Sequence, residues 1–70
     1  MNILETITLT NTQDNHNKIW SISRLENGDC ETSYGKIGGP QATTLFPESG
    51  EDGMIKKINS KIRKGYVKDE

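Results

Sequence analysis

The sequence predicts an α+β fold: a small antiparallel β-sheet of four to five strands packed against one α-helix. Three observations point there. Four short segments rich in β-branched and aromatic residues follow one another from Ile3 to Phe46, divided by runs of Asn, Asp, Gly and Pro. After Pro47 the apolar residues change from near alternation to helical spacing. A single sheet must bury one face, and the one helix that follows it supplies the cover.

Ile3 to Thr10 is the first strand, with Ile3, Glu5, Ile7 and Leu9 on one parity and Leu4, Thr6, Thr8 and Thr10 on the other. The polar run Asn11 to Asn17 is a loop. Lys18 to Leu25 is the second strand, with Trp20 and Ile22 on one face and Ile19 and Leu25 on the other. Glu26-Asn27-Gly28-Asp29 follows, and Asn-Gly suits a type I′ turn. Cys30 to Ile37 returns antiparallel, Gly38-Gly39-Pro40 breaks it, and Gln41 to Phe46 forms the fourth strand.

Ser49 to Lys64 has helical period, with Met54, Ile55, Ile58 and Ile62 on one expected buried face. Ser49 and Asp52 have the spacing of a capping box. Glu51 and Asp52 suit the positive end of the helix dipole, and Arg63 and Lys64 its negative end. Gly65 is placed to stop the helix in the left-handed conformation. Tyr66 and Val67 can return to the core or extend a sheet edge. No repeat or low-complexity tract divides the chain, so 1–70 reads as one domain.

With 30% hydrophobic residues in 70, the core is small and the fold simple. A lidded substrate cleft with a buried catalytic constellation does not suit so little material, and no acid–base pair or activated nucleophile is visible. The expectation is a protein that is not an enzyme and needs no cofactor. The charges are unevenly spread. Met1 to Gly53 holds three basic and eight acidic residues, whereas Met54 to Lys68 holds six basic residues and no acid. A net charge of −1 argues against a wholly basic nucleic-acid binder, but the C-terminal segment is a basic patch on an acidic body.

Cys30 is the single cysteine, so no intramolecular disulfide forms, and its neighbours Glu26, Asp29 and Glu31 do not activate a thiol. Cys30 and the lone His16 make no metal signature. Gly35-Lys36-Ile37-Gly38-Gly39 lacks the ending and following helix of a phosphate-binding P-loop. The N-terminus lacks the pattern of a signal peptide, and no apolar run reaches the length of a membrane span. A cytoplasmic protein with no membrane or metal partner is expected.

Three landmarks stand in order: Asn17-Lys18-Ile19-Trp20-Ser21-Ile22; then Thr32-Ser33-Tyr34-Gly35-Lys36-Ile37-Gly38 with Gln41 close behind; then Lys61-Ile62-Arg63-Lys64-Gly65-Tyr66. Together they resemble the WGR domain, which is named for a Trp-Gly-Arg motif and occurs in poly(ADP-ribose) polymerases and in short bacterial proteins. The resemblance covers roughly Asn17 to Tyr66. It implies DNA binding, because in the polymerases this motif helps to grip a DNA end and touches neighbouring domains.

Here Tyr34 stands for the Trp and Lys36 for the Arg. Tyr keeps an aromatic face with less area. Lys keeps the charge and loses the bidentate fork. The resemblance therefore implies a nucleic-acid-binding module, for DNA or RNA, using Tyr34, Gly35 and Lys36 with Lys18, Arg63 and Lys64. Read from the residues alone, Tyr34 is a half-buried strand aromatic and the lysines are a solvated helix face, which are the commoner roles of such residues. Two features favour an anion site: Lys36 lies next to Tyr34 and Gly35, and no acidic residue stands among the basic residues from Met54 to Lys68. The alternative is a protein-interaction or regulatory accessory module that presents the same basic surface to an acidic protein partner.

Overall fold

The computed structural model describes residues 2–12 and 17–68, and it has the α+β architecture that the periodicities predict. The elements are β1 (Ile3–Asn11), β2 (Lys18–Leu25), β3 (Cys30–Lys36), β4 (Gln41–Phe46), α1 (Gly50–Arg63) and β5 (Val67–Lys68). The five strands form one antiparallel sheet in the order β4-β3-β2-β1-β5. His16, Asp69 and Glu70 lie outside the described residues.

The register decides which side chains share a face. Leu9 pairs with Trp20, Trp20 with Tyr34 and Tyr34 with Ala42, while Ile7 pairs with Ile22 and Ile22 with Thr32. These positions, with Cys30 and Phe46, lie on the face that α1 covers. The core is Leu9, Trp20, Ile22, Cys30, Met54 and Tyr66, with Ile7, Phe46 and Ile58 packed around it. Each of the large apolar side chains so buried contributes about 1.5–3 kcal/mol. The opposite face carries Thr6, Thr8, Ser21, Ser23, Ser33 and Thr43, as expected for an antiparallel sheet with one solvated side.

The helix buries a different stripe from the one its isoleucines suggest. Met54 is buried and Ile58 half-buried, but Ile55 and Ile62 are 47% and 51% exposed. Met54, Lys57, Ile58 and Lys61, spaced i, i+3, i+4 and i+7, face the sheet instead. The helix is rotated because aromatic rings lie beneath it. The ammonium of Lys57 sits 4.1 Å from the centre of the Phe46 ring, and Lys61 crosses Trp20 at 5.8 Å. Lysine stems cover apolar surface while the charge stays near water, so the narrow sheet accepts two lysines where isoleucines were expected.

Two local expectations also differ. Asn27-Gly28 does not form a type I′ turn: Gly28 takes positive φ (93°) and Asn27 does not. Gly28 N–H donates to the Leu25 carbonyl at 3.0 Å and Leu25 N–H to that of Asp29 at 2.9 Å, which is a three-residue connection closed by a left-handed glycine. Asn27 favours it, because its side chain accepts from Asp29 N–H at 3.0 Å and donates to the Asp29 carboxylate at 3.1 Å. At the helix start, Ser49 makes no side-chain cap; its hydroxyl donates to the Phe46 carbonyl at 3.1 Å, so the capping box with Asp52 is absent.

The helix stop is as expected. Gly65 takes φ 103°, Gly65 N–H donates to the Ile62 carbonyl and Tyr66 N–H to that of Lys61, the paired bonds of a Schellman motif. The reversal sends Tyr66 into the core and leaves Val67 and Lys68 to pair with Thr10 and Leu9.

Candidate functional site

An open cleft of about 340 Å³ lies between α1 and the β3–β4 side of the sheet. Trp20, Thr32, Tyr34 and Phe46 line it from the strands, and Lys57, Ser60, Lys61 and Lys64 from the helix. The strand residues meet because Trp20 and Tyr34 are register partners and Thr32 is two positions from Tyr34 on the same face. The helix residues meet because their spacing of i, i+3, i+4 and i+7 makes one stripe. Among the described residues no carboxylate lines the cleft.

Lys61 is the centre of the site. Its ammonium lies 5.1 Å from the Tyr34 ring centre, 5.5 Å from Tyr66 and 5.8 Å from Trp20. Such contacts contribute about 0.5–1 kcal/mol each at exposed sites. Burial, and then the nearby charge of Lys64, hold the Lys61 amine below its usual range. Lys18 approaches Tyr34 from the side, donating to its hydroxyl at 3.0 Å with its ammonium 5.3 Å from the ring centre. That hydrogen bond lowers the Tyr34 phenol from its ordinary value and raises the Lys18 ammonium. The second phenol moves the other way: burial first, and then the charge of Tyr34, raise Tyr66.

Cations are concentrated here, and no carboxylate of the described residues lines the cleft with them. Lys18 and Lys36 are directly opposite on β2 and β3, on the same face as Tyr34. Among the described residues the one ion pair is Arg24 with Glu5 at 3.7 Å, and Glu5 pairs with Arg24 at the far end of the sheet from Lys18. Like charges directly opposite on strands are destabilising, so Lys18 and Lys36 are a repulsion that the fold carries.

Compared with known protein families, curated proteins and solved structures, the chain matches none.

The residues singled out in the sequence are therefore placed by geometry alone. Tyr34 and Lys64 line the cleft, and Lys18 is bonded to Tyr34. Lys36 is exposed at the same end of the sheet but is not part of the lining. Arg63 is exposed and lies outside the lining, on a flank of α1 turned away from the lysine stripe. Gly35 points to the other face, where a Cβ would collide with the Pro40 carbonyl and lie 3.0 Å from the Gln41 Cα. Its requirement is the close packing of the β3–β4 hairpin.

Lys57, Lys61, Ser60, Trp20 and Phe46 were not among the expected site residues. The spacing of Lys57, Ser60, Lys61 and Lys64 is legible in the sequence, but which stripe of the helix meets the rings is not. Among the described residues no group of three or more His, Cys, Asp or Glu side chains can hold a metal. No helix is long and apolar enough to cross a membrane.

Proposed function

We propose that the protein is a small non-enzymatic module that binds nucleic acid through the cleft beneath α1. The observation that carries this reading is the pairing of aromatic walls with a cationic rim, with no carboxylate among the described lining residues. Phosphate groups are the ligands that such a rim attracts, and bases are the flat groups that rings accept. Tyr34 is 38% exposed, so part of its ring is open to a base, while Lys18, Lys61 and Lys64 stand around it for the backbone. The resemblance to the WGR domain supports the same ligand, with Tyr34 in the aromatic role. Lys36 adds charge at the rim, and Arg63 acts through the long-range field. The lone buried Cys30 and the family resemblance are consistent with a cytoplasmic setting.

A fluorescence titration with blunt, nicked and single-stranded oligonucleotides of DNA and RNA tests the proposal. Binding is weak at physiological salt, because acidic residues outweigh basic ones outside the helix. Contact with about three phosphates gives a log–log salt slope of about −3. No binding to any of these at low salt overturns the reading and leaves an acidic protein surface as the ligand for the same lysines.

A further inference from the structure

One edge of the sheet is unprotected. β4 is flanked by β3 alone, so one row of its backbone N–H and C=O groups faces outward. Proteins normally guard such an edge with lysine, proline, a bulge or a very short strand. The opposite edge follows this rule, since β5 is two residues long and carries Lys68. β4 has none of these devices: Gln-Ala-Thr-Thr-Leu-Phe runs unbroken, in regular register with β3, and five of its six residues are exposed.

β4 is also the one uncharged strand. β1 carries Glu5, β2 carries Lys18 and Arg24, β3 carries Glu31 and Lys36, and β5 carries Lys68. We propose that β4 pairs antiparallel with β4 of a second copy of this chain, joining two five-stranded sheets into one of ten strands. The occupant follows from the charges. A charged peptide finds no complementary side chain along β4, whereas a second β4 brings no charge against it. The chain's net charge of −1 leaves little long-range repulsion between copies. A two-fold axis at Thr43 sets the Thr43 side chains of the two copies together across the seam, a favourable cross-strand pairing, and covers part of Leu45, which is 51% exposed. With that axis perpendicular to the sheet, both helices lie on one side. Phe46 belongs to β4 and lines the cleft, so the two clefts open beside the seam. The pairing stands independently of what the cleft binds.

Sedimentation of the protein alone, from micromolar to millimolar concentration, tests it. A reversible monomer–dimer equilibrium is expected, weak because one strand pair is smaller than a standard interface. Thr43→Lys and Thr43→Glu each abolish the dimer by setting like charges across the seam, and an equimolar mixture of the two restores it. Amide exchange in wild-type protein supplies a second measurement: Gln41 to Phe46 become protected at high concentration and exchange faster on dilution. A wild-type protein that stays monomeric throughout, a dimer that survives both substitutions, or a mixture of the two that stays monomeric overturns the proposal.

Discussion

Lys18 and Tyr34 are joined across neighbouring strands by a hydrogen bond of 3.0 Å, from a diagonal position in the β2–β3 register. The bond holds a cation against an aromatic ring at one end of the cleft, while Lys61 occupies the space between that ring, Trp20 and Tyr66. The two phenols of the protein are thereby set in opposite electrostatic environments.

The phenols should titrate separately. Tyr34 ionises below the ordinary phenol value of 10.0 and Tyr66 above it, visible as two steps in the ultraviolet absorbance. Tyr34→Phe removes the lower step, and Lys18→Ala moves it upward. Because the folded value of Tyr66 is raised, its contribution to stability is fully present below pH 10.0 and is lost as pH rises through that folded value. A single absorbance step for both residues would contradict the geometry of the Lys18–Tyr34 bond.

Two helix substitutions separate the buried stripe from the apparent one. Met54 is fully buried, so Met54→Ala costs about 2–5 kcal/mol. Ile62 is exposed, so Ile62→Ala changes stability by no more than about 0.5 kcal/mol. Urea unfolding measures both, and equal losses would mean that the helix is docked in another rotation.

Lys61 and Arg63 should differ in binding despite equal charge. Lys61→Met weakens oligonucleotide binding and flattens the salt slope by about one unit, whereas Arg63→Ala changes it by less. Equal binding losses in the two variants would place the ligand outside the cleft.

Gly35→Ala tests the β3–β4 hairpin. The added methyl meets the Pro40 carbonyl, and the backbone must shift, at a cost of about 1–3 kcal/mol. Thermal unfolding reads the loss, which also weakens binding indirectly through Tyr34 next door. A variant as stable as wild type would show that the hairpin is looser than described.

The Cys30 thiol should be unreactive in the native state. It is fully buried, and its Sγ donates to the Gly50 carbonyl at 3.4 Å. A thiol reagent modifies it only on unfolding, and folded Cys30→Ser keeps oligonucleotide binding. Rapid modification of the native protein, or loss of binding in the folded variant, would assign Cys30 a part in the site.

Much of the fold was legible along the chain. Two-residue alternation located β1, β2, β3 and β4 to within a residue at each end, and Gly65 marked the helix stop. Trp20 declared itself as a core residue by sharing a face with Ile22. These features depend on local periods and backbone freedom, which a single segment expresses without its neighbours. The site was legible in part: Tyr34, Lys18 and Lys64 stood in motifs, whereas Lys61 stood among several lysines that local spacing does not rank.

The rotation of α1 belongs to the tertiary structure. Period alone puts Ile55 and Ile62 inward, yet both are exposed and Lys57 and Lys61 lie on the rings. A helix's buried face is chosen by the surface it meets, and Trp20, Tyr34 and Phe46 on three adjacent strands offer broad rings over which lysine stems lie flat. The sequence by itself determined the strands, the helix and its ends. Only the docking of one layer on the other decided which lysines surround Tyr34, because a cleft is made of residues whose distance along the chain bears no relation to their distance in space.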